Sequence, residues 1–177
     1  MSRITQDIVV DVPVRVAYDQ WTQFESFPQF MDGVERVVQL DDKTLDWTAS
    51  IAGKTKQWRA EIVDQEPDTV VAWRSTQGAR NDGAVRFQPQ GATSTRVTLE
   101  LDVDPEGPVE NLGAALGVVE GRVRGDLERF KDFIEGRAQA TGAWRGEVEG
   151  GQVVEDDDST TSTGSNTVAG TRAGGGA

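Results

Sequence analysis

A chain of 177 residues with a net charge of −12 and no cysteine has room for one ordinary domain, and it can form neither a disulfide framework nor a thiolate metal site. Residues 141–177 hold two basic and six acidic residues, which leaves −8 on the first 140. That balance repels phosphate backbones and anionic headgroups, so no nucleic-acid partner is expected.

No apolar run approaches the roughly 20 residues that a bilayer crossing needs, so no stable membrane insertion is expected. The N-terminus shows no basic stretch leading into an apolar one. A cytoplasmic protein of bacterial type is the expectation.

Ile4, Gln6, Ile8, Val10 and Val12 alternate with mostly polar neighbours, the period of a half-buried strand. Pro13 stops that strand and can open a helix from its first turn; Val14, Ala17, Tyr18 and Trp21 follow at helical spacing. A second short helix or turn carries Phe24, Phe27, Pro28, Phe30 and Met31 and ends near Gly33, which makes Trp21–Met31 a dense aromatic knot.

Six strand signals follow, separated by turn residues. They are Val34–Leu40, Thr44–Ile51, Lys56–Val63, Val70–Ser75, Ala84–Pro89 and Arg96–Val103, with Gly78–Gly83 read as a loop. Each has one apolar and one charged face, as in an antiparallel sheet covered on one side only. A helix over about residues 109–138 is predicted from Leu112, Leu116, Val119, Val123, Leu127, Phe130 and Ile134, a single stripe whose only broad apolar counterpart is the sheet. The fold class is α+β, with about seven strands wrapped around a long C-terminal helix. The domain is expected to span residues 1–140. Residues 141–177, rich in Gly, Ser, Thr and Asp, are expected to form a disordered acidic tail, with Trp144 able to dock locally.

The order of one strand, two small helices, six strands and a long helix resembles the helix-grip superfamily (SRPBCC) that includes START and Bet v 1-like proteins. Within it the chain is similar to the polyketide cyclase/dehydrase and lipid transport branch, or coenzyme Q-binding START-domain proteins. The residues that carry the likeness are Trp21–Met31, Trp58-Arg59-Ala60-Glu61-Ile62, Ala72-Trp73-Arg74-Ser75 and Asp126–Glu135, within about residues 2–140. The resemblance implies a cavity between sheet and helix that takes a hydrophobic small molecule (a lipid, an isoprenoid quinone or a polyketide), with or without catalysis.

Trp47, Trp58 and Trp73 share the inward face of successive strands, with Phe87 beyond them. They form either a flat wall for an apolar or ring-bearing ligand or plain core packing. Trp21 and Phe24 read as a plug under the small helices, and Phe30 and Met31 as candidates for the cavity gate. Gly113, Gly117, Gly121 and Gly125 recur at four-residue spacing, each costing about 1 kcal/mol relative to alanine. Three readings stay open for them: space for a ligand beside Leu112 and Leu116, close packing on a second chain, or a bent, exposed first half of the helix.

The Arg80-Asn81-Asp82 loop reads either as part of the cavity rim that orients a polar ligand head or as an ordinary turn, and Ser75 and Asn81 are candidate ligand contacts. With no histidine, the commonest general base near neutral pH is missing; Gln6, Ser75, Asn81 and Tyr18 are what remains for polarising a poly-ketone. The leading expectation is therefore a non-catalytic carrier that needs no cofactor and no metal. A polyketide aromatase/cyclase or dehydratase is the alternative, and a stress-related interaction protein acting through its acidic tail is the third.

Overall fold

The computed structural model describes residues 2–51, 53–103 and 112–154; the side chains of Ile51 and Leu112, and the predicted helix residues 109–111, lie outside the described set. Alternation along the chain is realised as strands β1 (Ser2–Val10), β2 (Val34–Gln39), β3 (Thr44–Ile51), β4 (Lys54–Glu66), β5 (Val70–Gly78), β6 (Asn81–Pro89) and β7 (Thr95–Val103). They pair antiparallel in the order β1-β7-β6-β5-β4-β3-β2. Between β1 and β2 lie helix α1 (Val14–Trp21) and a 3-10 helix (Phe24–Gln29), and after β7 comes α2 (Leu112–Arg137). This is the expected α+β helix-grip arrangement.

Two differences from the sequence reading matter for the site. Gly78–Gly83, predicted as a loop, is mostly strand: Asn81, Asp82 and Gly83 pair with Val103, Asp102 and Leu101, because the long β7 offers backbone partners that outweigh the turn-prone residues. The other concerns residues 141–154, assigned by sequence to the disordered tail. They pack on the domain, and Glu147–Glu149 (β8) and Gln152–Val154 (β9) form a hairpin joined to β4 through Gln65 and Val148. Residues 155–177 lie outside the described set.

A bulge in β4 explains how that hairpin attaches. Ala60 and Ile62 point inward, the register shifts between Ile62 and Asp64, and Gln65 is then fully buried instead of Asp64. One extra residue reverses the side-chain alternation. Gly151 N–H donates to the Val63 carbonyl at this point (2.8 Å).

Helix α2 buries Val123, Leu127, Phe130 and Ile134, the predicted stripe, and packs chiefly on β1. Its C-terminal half is tied down by polar contacts. Lys131 donates to the Val9 carbonyl (2.9 Å), and Glu135 accepts from Asp11 N–H (2.8 Å). Arg122 reaches the Ser50 carbonyl (2.8 Å), Arg129 the Phe30 carbonyl (3.1 Å), and Asp126 accepts from Asp32 N–H (2.9 Å). The N-terminal half is looser: Val118 is 58% exposed and Leu116 and Val119 are half-buried. A Cβ at Gly113, Gly117 or Gly121 would meet open space. Of the readings for these glycines, the exposed first half agrees with this placement.

Tyr18, the only tyrosine, is fully buried under the guanidinium of Arg145 (5.5 Å from the ring centre) and accepts a hydrogen bond from Gln65 Nε2 (3.0 Å). Burial pushes its hydroxyl up to about 12, against the opposing pull of Gln65 and of Arg145. Because the folded value is raised above the unfolded one near 10, the stabilisation linked to this proton is complete below about pH 10 and is lost as pH rises through about 12. That loss is expected to reach ~2–3 kcal/mol. Tyrosinate absorbance of the folded protein should lag that of the urea-unfolded chain, and Tyr18→Phe should remove this part of the alkaline destabilisation. A folded-state titration near 10 would contradict it.

Candidate functional site

The interior holds two groups of rings that meet where Phe27 lies 5.7 Å from Trp47. The larger is the aromatic knot. Trp21 meets Phe27, Phe87 and Phe130 edge-on, with ring centres 5.4, 6.2 and 5.2 Å apart, while Phe24 and Phe27 complete it. Phe87 also lies edge-on to Tyr18 at 5.4 Å. Phe30, offered above as a gate, is 2% exposed and wedged among Phe27, Phe130 and Phe133. It belongs to the plug, because the carbonyl hydrogen-bonded to Arg129 fixes its backbone against α2. Met31 packs half-buried beside it.

The second region holds the tryptophans. Trp47 and Trp58 are direct cross-strand partners whose rings stack at 5.6 Å and 7°. With Trp73 they gather around Ala49, Ala60 and Ala79. Phe87, read from sequence as an extension of this wall, sits in the plug instead. The small alanines matter: where the plug interlocks large rings, here large flat rings adjoin small side chains. Helix α2 packs chiefly on β1, and it reaches β3 through Arg122 on the Ser50 carbonyl (2.8 Å). Leu116 stands half-buried on that half. The Trp47 indole N–H is buried without an acceptor.

Trp73 is held on two sides. Its Nε1–H donates to Asn81 Oδ1 (3.2 Å), and its ring lies on Gly83, where a Cβ would come within 2.8 Å of Cζ2, 2.9 Å of Leu101 Cδ2 and 2.5 Å of the Glu100 carbonyl oxygen. Gly83→Ala is therefore expected to destabilise the protein by about 1–3 kcal/mol through overpacking, read from urea denaturation; an unchanged midpoint would mean the ring moves freely. Ser75 Oγ accepts from Asn81 N–H (3.0 Å) and donates to Asp82 Oδ1 (2.8 Å), which also accepts from Ser75 N–H (2.8 Å). Arg80 pairs with Asp82 (3.2 Å). An open polar depression of about 360 Å³ runs beside this node, lined by Ser75, Thr76, Gln77, Gly78, Arg80 and Asp82.

The structure thus brings Trp47, Trp58, Trp73, Ser75 and Asn81 together, while Phe30, Met31 and Phe87 pack in the aromatic knot, which Phe27 joins to Trp47 at 5.7 Å. Tyr18 and Gln65 lie in the knot. Among the described residues no group of three or more potential ligands could hold a metal ion, and no helix is long and apolar enough to cross a membrane.

Sequence reasoning missed Arg145, whose two arms bind Asp19 (2.6 Å) and Asp68 (2.8 Å). The available signal was Asp19 and Gln20 next to Trp21 on a short helix, polar residues that here are buried. A second open depression, about 490 Å³, lies where this segment meets the β2–β3 turn, between Trp144 and Asp41.

Comparison with known proteins agrees with this geometry. The sequence profile described as polyketide cyclase / dehydrase and lipid transport matches residues 10–132. An uncharacterised 17.2 kDa protein of the melC2-rnhH intergenic region of Streptomyces lincolnensis is 48% identical over 149 residues, 84% of this chain and 99% of the relative. Among solved structures, DR_A0006 from Deinococcus radiodurans is 29% identical with a TM-score of 0.60, over 76% of this chain and 98% of that one. A START superfamily protein from Mycobacterium smegmatis has 18% identity and a TM-score of 0.62, over 77% and 96%. The Zhui aromatase/cyclase from Streptomyces sp. R1128 has 17% identity and 0.59, over 77% and 93%. With the profile covering well over half its length and the helix-grip fold in place, the chain belongs to the polyketide cyclase / dehydrase and lipid transport family.

Proposed function

We propose that this protein binds and carries a hydrophobic small molecule, a lipid, isoprenoid quinone or polyketide, against Trp47, Trp58 and Trp73. The observation that carries the reading is the tryptophan group: indoles from three adjacent strands, Trp47 stacked on Trp58 at 5.6 Å, beside the small side chains of Ala49, Ala60 and Ala79. Large apolar surfaces beside small side chains are what a pocket for an apolar ligand requires.

The catalytic alternative is less well supported by the same residues. Ser75 and Asn81 spend their polar atoms on Asp82 and Trp73, and Tyr18 is buried beneath Arg145 with its proton held to about 12. A polarising group must be free to approach the substrate. The interaction reading rests on the tail, residues 141–177, and the helix face; residues 155–177 of that tail lie outside the described set.

Organic extraction and mass spectrometry of the purified protein should yield a co-purified apolar compound. Titration with 1,4-naphthoquinone should quench tryptophan fluorescence saturably, and Trp73→Ala should weaken that binding about tenfold or more, the ~1.4 kcal/mol expected for one aromatic contact. An unaffected titration in Trp73→Ala would sink the assignment of this wall. Turnover of a poly-ketone substrate that falls on Ser75→Ala or Asn81→Ala would favour the cyclase instead.

A further inference from the structure

Trp73, only partly buried, is held from two directions, one by packing and one by a hydrogen bond. Its ring rests on the bare backbone of Gly83, where no Cβ could fit. Its indole N–H is held by Asn81 Oδ1 (3.2 Å). Asn81 is itself fixed by its backbone N–H on Ser75 Oγ (3.0 Å), and that hydroxyl is aimed by Asp82, whose Oδ1 accepts from both the Ser75 hydroxyl and the Ser75 amide at 2.8 Å. The chain of bonds runs Asp82, Ser75, Asn81, Trp73, and every link lies within hydrogen-bonding distance.

Such a brace has a consequence for recognition. A side chain locked by supporting hydrogen bonds presents one fixed surface, and a rigid surface rewards a rigid, flat ligand that matches it. A flexible acyl chain can follow a mobile wall as readily as a fixed one, so it gains little from the lock. Resting on the binding reading above, we propose that Asn81, Ser75 and Asp82 are positioning residues that hold the Trp73 indole in a single orientation and thereby make the pocket select planar ring systems over acyl chains. Ser75 and Asn81, which the sequence suggested as direct ligand contacts, act in this scheme through Trp73.

The test uses the full chain labelled with 5-fluorotryptophan, with the Trp73 fluorine line identified as the one missing from Trp73→Phe. The wild type should show one sharp Trp73 line and should bind 1,4-naphthoquinone more tightly than palmitate. Asn81→Leu removes the acceptor: the line should broaden or split and naphthoquinone affinity should fall about tenfold, while palmitate affinity stays within about twofold. Asn81→Asp, which keeps a carboxyl oxygen at the same reach, should restore both readouts.

Ser75→Ala, which breaks the chain one link further back and spares the indole's own acceptor, should give an intermediate result and serves if Asn81→Leu does not fold. A single sharp line together with an unchanged affinity ratio in both variants would overturn the proposal. Failure of the wild type to bind either probe would overturn the binding reading and the selectivity with it, whereas the lock itself would still be decided by the fluorine line.

Discussion

Trp21→Ala is expected to destabilise the protein by about 3–5 kcal/mol, the usual cost of removing a large aromatic side chain from a packed core. Trp21 is 2% exposed and is the hub of the knot: its ring meets one ring from the 3-10 helix, one from β6 and one from α2. The vacated volume is bounded by aromatic rings on three separate elements, so it cannot collapse without moving α1, the sheet and α2 together. Against a typical total stability of roughly 5–15 kcal/mol, the variant should sit close to unfolding at room temperature. Urea denaturation followed by far-UV circular dichroism measures it. Trp21→Phe should recover more than half of the loss, and a cost below about 1.5 kcal/mol for the alanine variant would show that the knot is not the fold's main anchor.

A chain ending at Ala140 is expected to be at least ~3 kcal/mol less stable than one ending at Val154. The reason is the strap formed by residues 141–154. Thr141 exchanges two hydrogen bonds with the buried side chain of Gln20 (2.8 and 3.1 Å), Trp144 N–H donates to Thr22 Oγ1 (3.0 Å), and Val148 is fully buried. Gly146 lets the Trp144 ring fold back over the backbone, since a Cβ there would come within 2.3 Å of Cζ2.

At the centre Arg145 spans Asp19 on α1 and Asp68 in the β4–β5 turn. Asp68 adopts a left-handed backbone, φ 63°. Removing the strap leaves the buried Gln20 without Thr141, leaves Asp19 with only the exposed Arg15 (3.7 Å), and takes the Arg145 guanidinium off Tyr18. Arg145→Ala alone should cost about 2–4 kcal/mol, because Asp68 loses the arm that binds it and Asp19 loses its shorter ion pair. Arg145→Lys should recover less than half, since an ammonium cannot reach two carboxylates with a planar fork. Equal stability of the two truncated chains would restore the shorter domain boundary.

How far the sequence could be read depended on how local the cause was. The β3 segment Thr44–Ile51 alternates cleanly, and its faces in the structure are those of the pattern, with Leu45 and Ala49 buried. The α2 stripe needed only the helical period. The stacked Trp47 and Trp58 followed from alternation on two strands joined by a short turn, which fixes their register.

The failures have non-local causes. Asn81–Gly83 carries turn residues and becomes strand because β7 supplies the missing half of its ladder. Residues 141–154 have too few apolar residues to fold alone; their order comes from Gln20, Thr22, Asp19 and Gln65, as much as 126 residues away in the chain.

The site divides in the same way. Which strand side chains share the inward face was legible from alternation, but Phe30 and Phe87 were drawn into the knot by the relative placement of α2, the 3-10 helix and β6, which no period encodes. The sequence by itself determined most of the helices and strands and their apolar faces, because these depend on spacing within a few residues. Tertiary structure alone decided which rings gather in the aromatic plug and which in the tryptophan group beside it, and that a polar segment closes the domain: both depend on which surfaces meet in space, and buried polar pairs such as Arg145 with Asp19 have no repeat along the chain by which to be recognised.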